Sequence, residues 1–182
     1  MKVPEQLQVR SADDDDMLAV AAIFARYVSD TVLTFELEPP TAAAWRGRLA
    51  SLTAAGWPFL VLVVDGQLVG YAYVSPWRTK PAYAHTVENS IYLDPDSAGR
   101  GYGRVLLETL LAAAGSAGAR QVIAVIVDSG SPESMSLHRA VGFVEAGRLS
   151  QVGFKQDRWL DVVLMQTSLT SESITSAVTG AS

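Results

Sequence analysis

Between Val87 and Ala114 the chain passes from a strand-like run to a helical one across a short break rich in proline and glycine. Val87–Leu93 reads as a strand, and Asp94-Pro95-Asp96 ends it. Gly99-Arg100-Gly101-Tyr102-Gly103 follows, after which Leu106, Leu107, Leu110, Leu111 and Ala114 recur at helical spacing until Gly118. Gln121–Val127 is nearly all aliphatic, as a strand covered on both faces must be. A strand, a helix and a second strand in this order commit the chain to a crossover, and so to a sheet with helices packed on it.

The flanking segments add hairpins to that crossover. Gln8–Arg10 reads as a short first strand. Ser11 and the run Asp13–Asp16 then precede a helical stripe of Met17, Val20, Ala21, Phe24, Tyr27 and Val28. Carboxylates suit the positive end of a helix dipole, so the acidic run reads as a helix start before it reads as a cation site. A second helix runs from Thr41 as N-cap to about Ala54, closed by Gly56. Phe59–Val64 and Leu68–Ser75 are joined by Asp65-Gly66-Gln67, a hairpin signal because glycine takes positive φ. A short helix at Ser134–Val141 stops at Gly142, and strands follow at Phe143–Val152 and Trp159–Thr167. Hairpins beside a crossover predict a mixed sheet in an α/β (α+β) fold. One domain over residues 1–169 is expected, with a disordered Ser/Thr-rich tail at 170–182.

Composition removes several functions. With 182 residues, 49% hydrophobic and 18% charged, a sizeable core can be buried. A net charge of −5 opposes sequence-independent nucleic-acid binding, which needs clustered Lys and Arg. The chain has no cysteine, which excludes disulfides, Cys-ligated zinc and a thiol nucleophile. Its longest apolar stretch, Met17–Ala25, falls far short of the ~20 residues that span a bilayer. A cytoplasmic protein without a membrane partner is expected. The two histidines, His85 and His138, are far apart in sequence, so no dedicated metal site is expected.

Three glycines at alternate positions let backbone N–H groups converge at a helix N-terminus, where phosphate oxygens bind, and Arg100 and Arg104 add positive potential. The same loop also reads as a plain helix cap, and spacing leaves both open. A dinucleotide fingerprint fails because Arg104 and Leu106 stand where its third glycine belongs, and no G-K-[ST] follows for a P-loop. Glu88 lies among Val87, Ile91, Tyr92 and Leu93. A carboxylate there has a raised pKa and suits a general base, unless it faces water as an ordinary strand glutamate.

The run from Tyr92 through Ala98-Gly99-Arg100-Gly101-Tyr102-Gly103 to Arg104 resembles motif A of the GNAT acetyltransferases. Asp128–Phe143 is similar to their N-x-x-A/S-x-x-L-Y/H-x-x-x-G-F motif, whose Asn contacts pantetheine. Pro76–Tyr83, Thr86–Tyr92, Gly153-Phe154-Lys155 and Trp159–Val162 resemble the phosphinothricin and methionine sulfoximine acetyltransferases, as does the Thr34-Phe35-Glu36 region. The likeness spans roughly residues 8–169. It implies a GNAT-like mixed, mostly antiparallel sheet flanked by about four helices, with acetyl-CoA as cosubstrate. Ala98 departs from the usual Gln or Arg, and Ser131 from the usual Asn.

The resemblance also implies roles. Ile91, Tyr92 and Leu93 would bind coenzyme from the strand; Gly99, Arg100, Gly101, Tyr102, Gly103 and Arg104 from the loop; Ser131 and Ser134 from the second motif. Glu88 would be the base, and His138 either the acid for the leaving thiolate or a histidine hydrogen-bonded to structure. Arg78 and Lys80 beside Tyr83 would hold an anionic group of a small amine substrate, walled by Phe35 and Trp77. Trp159 would be a further aromatic wall residue, unless it is ordinary core. The implied reaction is direct acetyl transfer to the α-amine of a small amino acid analogue, by a homodimer. Acetylation of another small amine, or of protein, and non-catalytic acyl-CoA sensing remain the rival readings.

Overall fold

A computed structural model of the protein describes residues 6–169. In chain order the elements are β1 (Leu7–Ser11), α1 (Met17–Asp30), α2 (Ala42–Ala54), β2 (Phe59–Val64), β3 (Gln67–Pro76) and β4 (Thr86–Leu93). They continue with α3 (Tyr102–Ser116), β5 (Gln121–Val127), α4 (Glu133–Ala140), β6 (Val144–Lys155) and β7 (Arg158–Ser168). The acidic run behaves as a helix start. Asp13 caps the turn at Asp14–Asp16, and Asp16 turns back to a paired contact with Arg10, at 2.6 and 2.7 Å. Thr41 caps α2 by accepting from the Ala44 N–H.

The strands form one seven-stranded sheet in the order β1-β2-β3-β4-β5-β7-β6. All neighbours are antiparallel except β4 and β5, which the α3 crossover makes parallel. Asp65 and Gly66 both take positive φ, 49° and 80°, which gives the β2–β3 turn the twist its strands require. Strand alternation splits the core in two. Leu60, Leu62, Ala72, Val74 and Val87 pack against α3, while Phe59, Val61, Tyr71 and Tyr73 pack against α1 and α2. The sheet is therefore covered by helices on both faces.

One strand boundary differs from the sequence reading by more than a residue. β6 does not stop at Val152 but runs to Lys155, because a bulge restores its register. Leu149 faces Val162 and Gly153 faces Leu160, so Ser150, Gln151 and Val152 bulge opposite Asp161. Gln151 takes φ 51°, and its N–H donates to Asp161 Oδ1 at 2.9 Å. The tail expected to be disordered, 170–182, lies outside the described residues. Among the described residues no helix is long and apolar enough to cross a membrane.

Candidate active site

The sheet opens at its parallel pair. β4 and β5 pair from Thr86↔Gln121 to Asn89↔Ala124, and beyond that point Ser90–Leu93 and Val125–Val127 have no partner in each other. Both freed edges line a cavity of about 430 Å³. Its walls also take in Gly99, Gly101, Gly103 and Arg104 at the start of α3, and Glu88 on β4. Gly99 and Gly101 hold φ of +75° and +81°, where a side chain would be strained, and a Cβ on either would project into open space. No side chain caps α3, so its positive end is left for an external anion. Gly103 is small for another reason: a Cβ there would press on Leu137 and Leu93 at 3.2 and 3.3 Å. The turn before the loop is braced from α1, where Arg26 Nη1 donates to Asp94 at 2.8 Å and Asp96 at 3.0 Å.

Glu88 leaves β4 on the face opposite Val87 and Asn89, towards α1 and α2. Its half-buried carboxyl is raised above the usual range by desolvation, against a smaller opposing pull from the Arg78 guanidinium. Arg78 itself stacks on Trp77, 4.1 Å from the ring centroid. On the same face Tyr92 packs edge-on against Phe24 and Tyr27, and the Tyr27 hydroxyl donates to Leu93 O at 2.7 Å.

His138 lines the same cavity but is only 2% exposed. Its Nδ1 stands 2.7 Å from Ser134 O, a group that only accepts, so Nδ1 carries the proton. Its Nε2 stands 3.0 Å from Asn89 Nδ2. Burial also lowers the pKa, so the imidazole is neutral and Nε2 is an acceptor. Of the two roles expected for His138, this geometry favours the one hydrogen-bonded to structure, because its only proton is already donated to the backbone.

The expected coenzyme residues divide. Ile91, Tyr92, Leu93 and Ser134 line the cavity with the loop glycines, whereas Arg100, Tyr102 and Ser131 do not. Tyr102 turns its ring into the core at 4% exposure, so only its backbone stays at the helix entrance. None of Phe35, Trp77, Arg78, Lys80 and Tyr83 lines the cavity. Trp77–Tyr83 occupy the β3–β4 loop next to the Thr86 end of β4, outside the walls, with Arg78 near enough to Glu88 for its charge to oppose the raised pKa. Phe35 instead packs on Gly153, where a Cβ would overlap its ring. The sequence reading missed Leu33, Asn89 and Leu137, which all line the cavity. An amide at a buried strand position beside Glu88 was the available signal for Asn89. Nothing local marks Leu33, which reaches the site through loop packing.

Residues 20–143 match the acetyltransferase (GNAT) family. The chain is 46% identical, over 92% of its length and 85% of the relative's, to the phosphinothricin N-acetyltransferase of Alcaligenes faecalis. It is 34% identical to an L-methionine sulfoximine/L-methionine sulfone acetyltransferase of Pseudomonas aeruginosa, covering 88% of this chain and 94% of that protein. The phosphinothricin acetyltransferase of Sinorhizobium meliloti, solved in complex with acetyl-CoA, superposes with a TM-score of 0.86 at 39% identity, over 90% of this chain and 88% of that one. With the crossover, the opened parallel pair and the uncapped glycine loop in place, the chain belongs to the GNAT acetyltransferase family.

Proposed function

We propose that this acetyltransferase moves the acetyl group of acetyl-CoA directly to the α-amine of a small amino acid analogue, such as phosphinothricin, methionine sulfoximine or methionine sulfone. One observation carries the reading: a single cavity is lined both by the uncapped start of α3 and by Glu88, whose carboxyl is desolvated. The names of the similar proteins supply the acceptor class.

Bound acetyl-CoA supplies an acetyl group activated as a thioester. Backbone N–H groups around Gly99, Gly101 and Gly103, with Arg104, hold the pyrophosphate. The β5-facing edge of Ser90–Leu93, paired to β3 on its other side, takes the amides of the pantetheine arm, since no strand meets it there. Ser134 borders the same path. Glu88 draws the proton from the acceptor ammonium, directly or through a water, and its raised pKa keeps it a competent base near neutrality. The freed amine bonds to the acetyl carbon, the C–S bond breaks, and the second proton shed by that nitrogen goes to the leaving thiolate. Arg78 and Lys80 hold the acceptor's anionic group beside Tyr83, with Trp77 and Phe35 as apolar walls. The absence of cysteine rules out a cysteinyl acyl-enzyme and favours transfer with both substrates bound. The working unit is one domain within residues 1–169, assembled as a homodimer in the cytoplasm, where acetyl-CoA is available.

Thiol release from acetyl-CoA tests the reading against phosphinothricin, methionine sulfoximine, methionine sulfone, ordinary amino acids, polyamines and a lysine peptide. Turnover confined to the first three is expected. Turnover on another amine replaces the acceptor and keeps the transferase. Acetyl-CoA binding with no turnover on any amine favours the sensor reading.

A further inference from the structure

Asn89 is a polar side chain in an apolar place. β4 turns Val87 and Asn89 to the α3–α4 face; Val87 is wholly buried in the core there, and Asn89 is 6% exposed. The Asn89 amide has one polar neighbour, His138 Nε2, at 3.0 Å. Because Ser134 O holds the imidazole proton on Nδ1, Nε2 is bare and accepts from Asn89 Nδ2. That choice fixes which end of the amide faces the histidine. It leaves Asn89 Oδ1 buried without a hydrogen-bond partner. Trp45 Nε1 and Tyr71 Oη are also buried and unpartnered, but both sit in the aromatic cluster under α1 and α2. Of the three residues only Asn89 lines the cavity. An unpaired buried carbonyl in a ligand pocket is costly and calls for a donor.

Position narrows the donor. Asn89 is the last β4 residue paired to β5, so it stands where the two strands part. Glu88 is its neighbour in sequence and points to the opposite face, where the acceptor amine must lose its proton. A donor between the parting strands, on Asn89's side and level with Glu88, belongs to the coenzyme arm close to its reacting end. We infer that Asn89 Oδ1 accepts the pantetheine amide N–H nearest the thioester, and that His138 is the positioning residue that turns the Asn89 amide to do so. The inference rests on the acetyl-CoA reading above.

Calorimetry without acceptor separates the two. Wild type and Asn89→Leu are titrated with acetyl-CoA and with adenosine 3′,5′-bisphosphate, which lacks the arm. The expected result is acetyl-CoA binding weakened roughly tenfold, with bisphosphate binding unchanged. Equal acetyl-CoA affinity overturns the inference. So does unchanged acetyl-CoA affinity with a raised KM for the amine, which would give Asn89 to the ammonium. If both probes fail because Asn89→Leu does not fold, Asn89→Thr and Asn89→Val decide, being alike in shape with and without an acceptor. Threonine must bind acetyl-CoA several-fold tighter than valine, and equality overturns the contact. Nitrogen-15 NMR of the imidazole checks the positioning role: Nδ1 protonated and Nε2 bare supports it, and the opposite tautomer overturns it. Wild type that binds no acetyl-CoA at all would instead remove the proposed function.

Discussion

Burial acts in opposite directions on Glu88 and His138, because each is driven towards its neutral form. For the histidine this leaves an imidazole with its single proton spent on Ser134 O. For the glutamate it makes a base that binds protons more tightly in the folded state than in the unfolded one. Its stabilising contribution is therefore present below the unfolded pKa, near 4.5, and is lost as pH rises through the raised folded value. Glu88→Gln removes that loss. At about pH 8 the variant should melt above wild type, with the difference shrinking towards pH 4.5, while turnover falls roughly 10²–10⁴-fold and acetyl-CoA affinity holds. Thermal melts at both pH values and steady-state rates check this, and retained turnover would remove Glu88 as the base. The same desolvation predicts that wild-type kcat/KM declines on the acid side from above pH 4.5. Glu88's half-burial comes from the strand face it takes towards α1 and α2, but its place in a largely apolar strand was legible in the sequence. The state of His138 was not, because its partner Asn89 lies on another element.

At the level of elements, the α1–α2 loop is held from the far end of the chain. Lys155 Nζ donates to Thr34 O at 2.9 Å, Phe35 lies on Gly153, and Val32 packs with Val127 and Leu160. Burial raises the pKa of the Tyr92 phenol on β4, and the Thr34 side chain of the same loop opposes that rise. Lys155 is buried, and desolvation lowers its pKa against the pull of Glu36. A buried ammonium set on a backbone carbonyl marks a strap that holds Leu33 at the cavity and Phe35 against Gly153. Lys155→Met should raise the KM for the amine several-fold and leave acetyl-CoA affinity within about twofold of wild type. Kinetics with each substrate varied in turn checks this split, and equal effects on both substrates would show a general loss of structure. Thr34-Phe35-Glu36 and Gly153-Phe154-Lys155 were both visible in the sequence as resemblances, but the contact that joins them into a strap was not. The Gln151 bulge that carries β6 on to Lys155 has no local signature either.

The whole molecule presents an edge that a monomer would leave exposed. β6 ends the sheet, and Leu149, Val152 and Phe154 along it are 45%, 51% and 54% exposed. Trp159 on β7, 62% exposed, meets Phe154 at 5.2 Å between ring centroids. An apolar edge strand of this length suits pairing with a second copy. Sedimentation at tens of micromolar should find a dimer, and Val152→Glu should shift it to monomer without moving acetyl-CoA affinity; a monomeric wild type would end the proposal. The crossover, the β2–β3 hairpin and the glycine loop were set by the sequence alone, because glycine, proline and apolar period act over a few residues. Tertiary structure decided the rest. The opening between β4 and β5, the tautomer of His138, the orphan oxygen of Asn89 and the Lys155 strap each depend on groups far apart in the chain, and only folding brings such groups within hydrogen-bond reach.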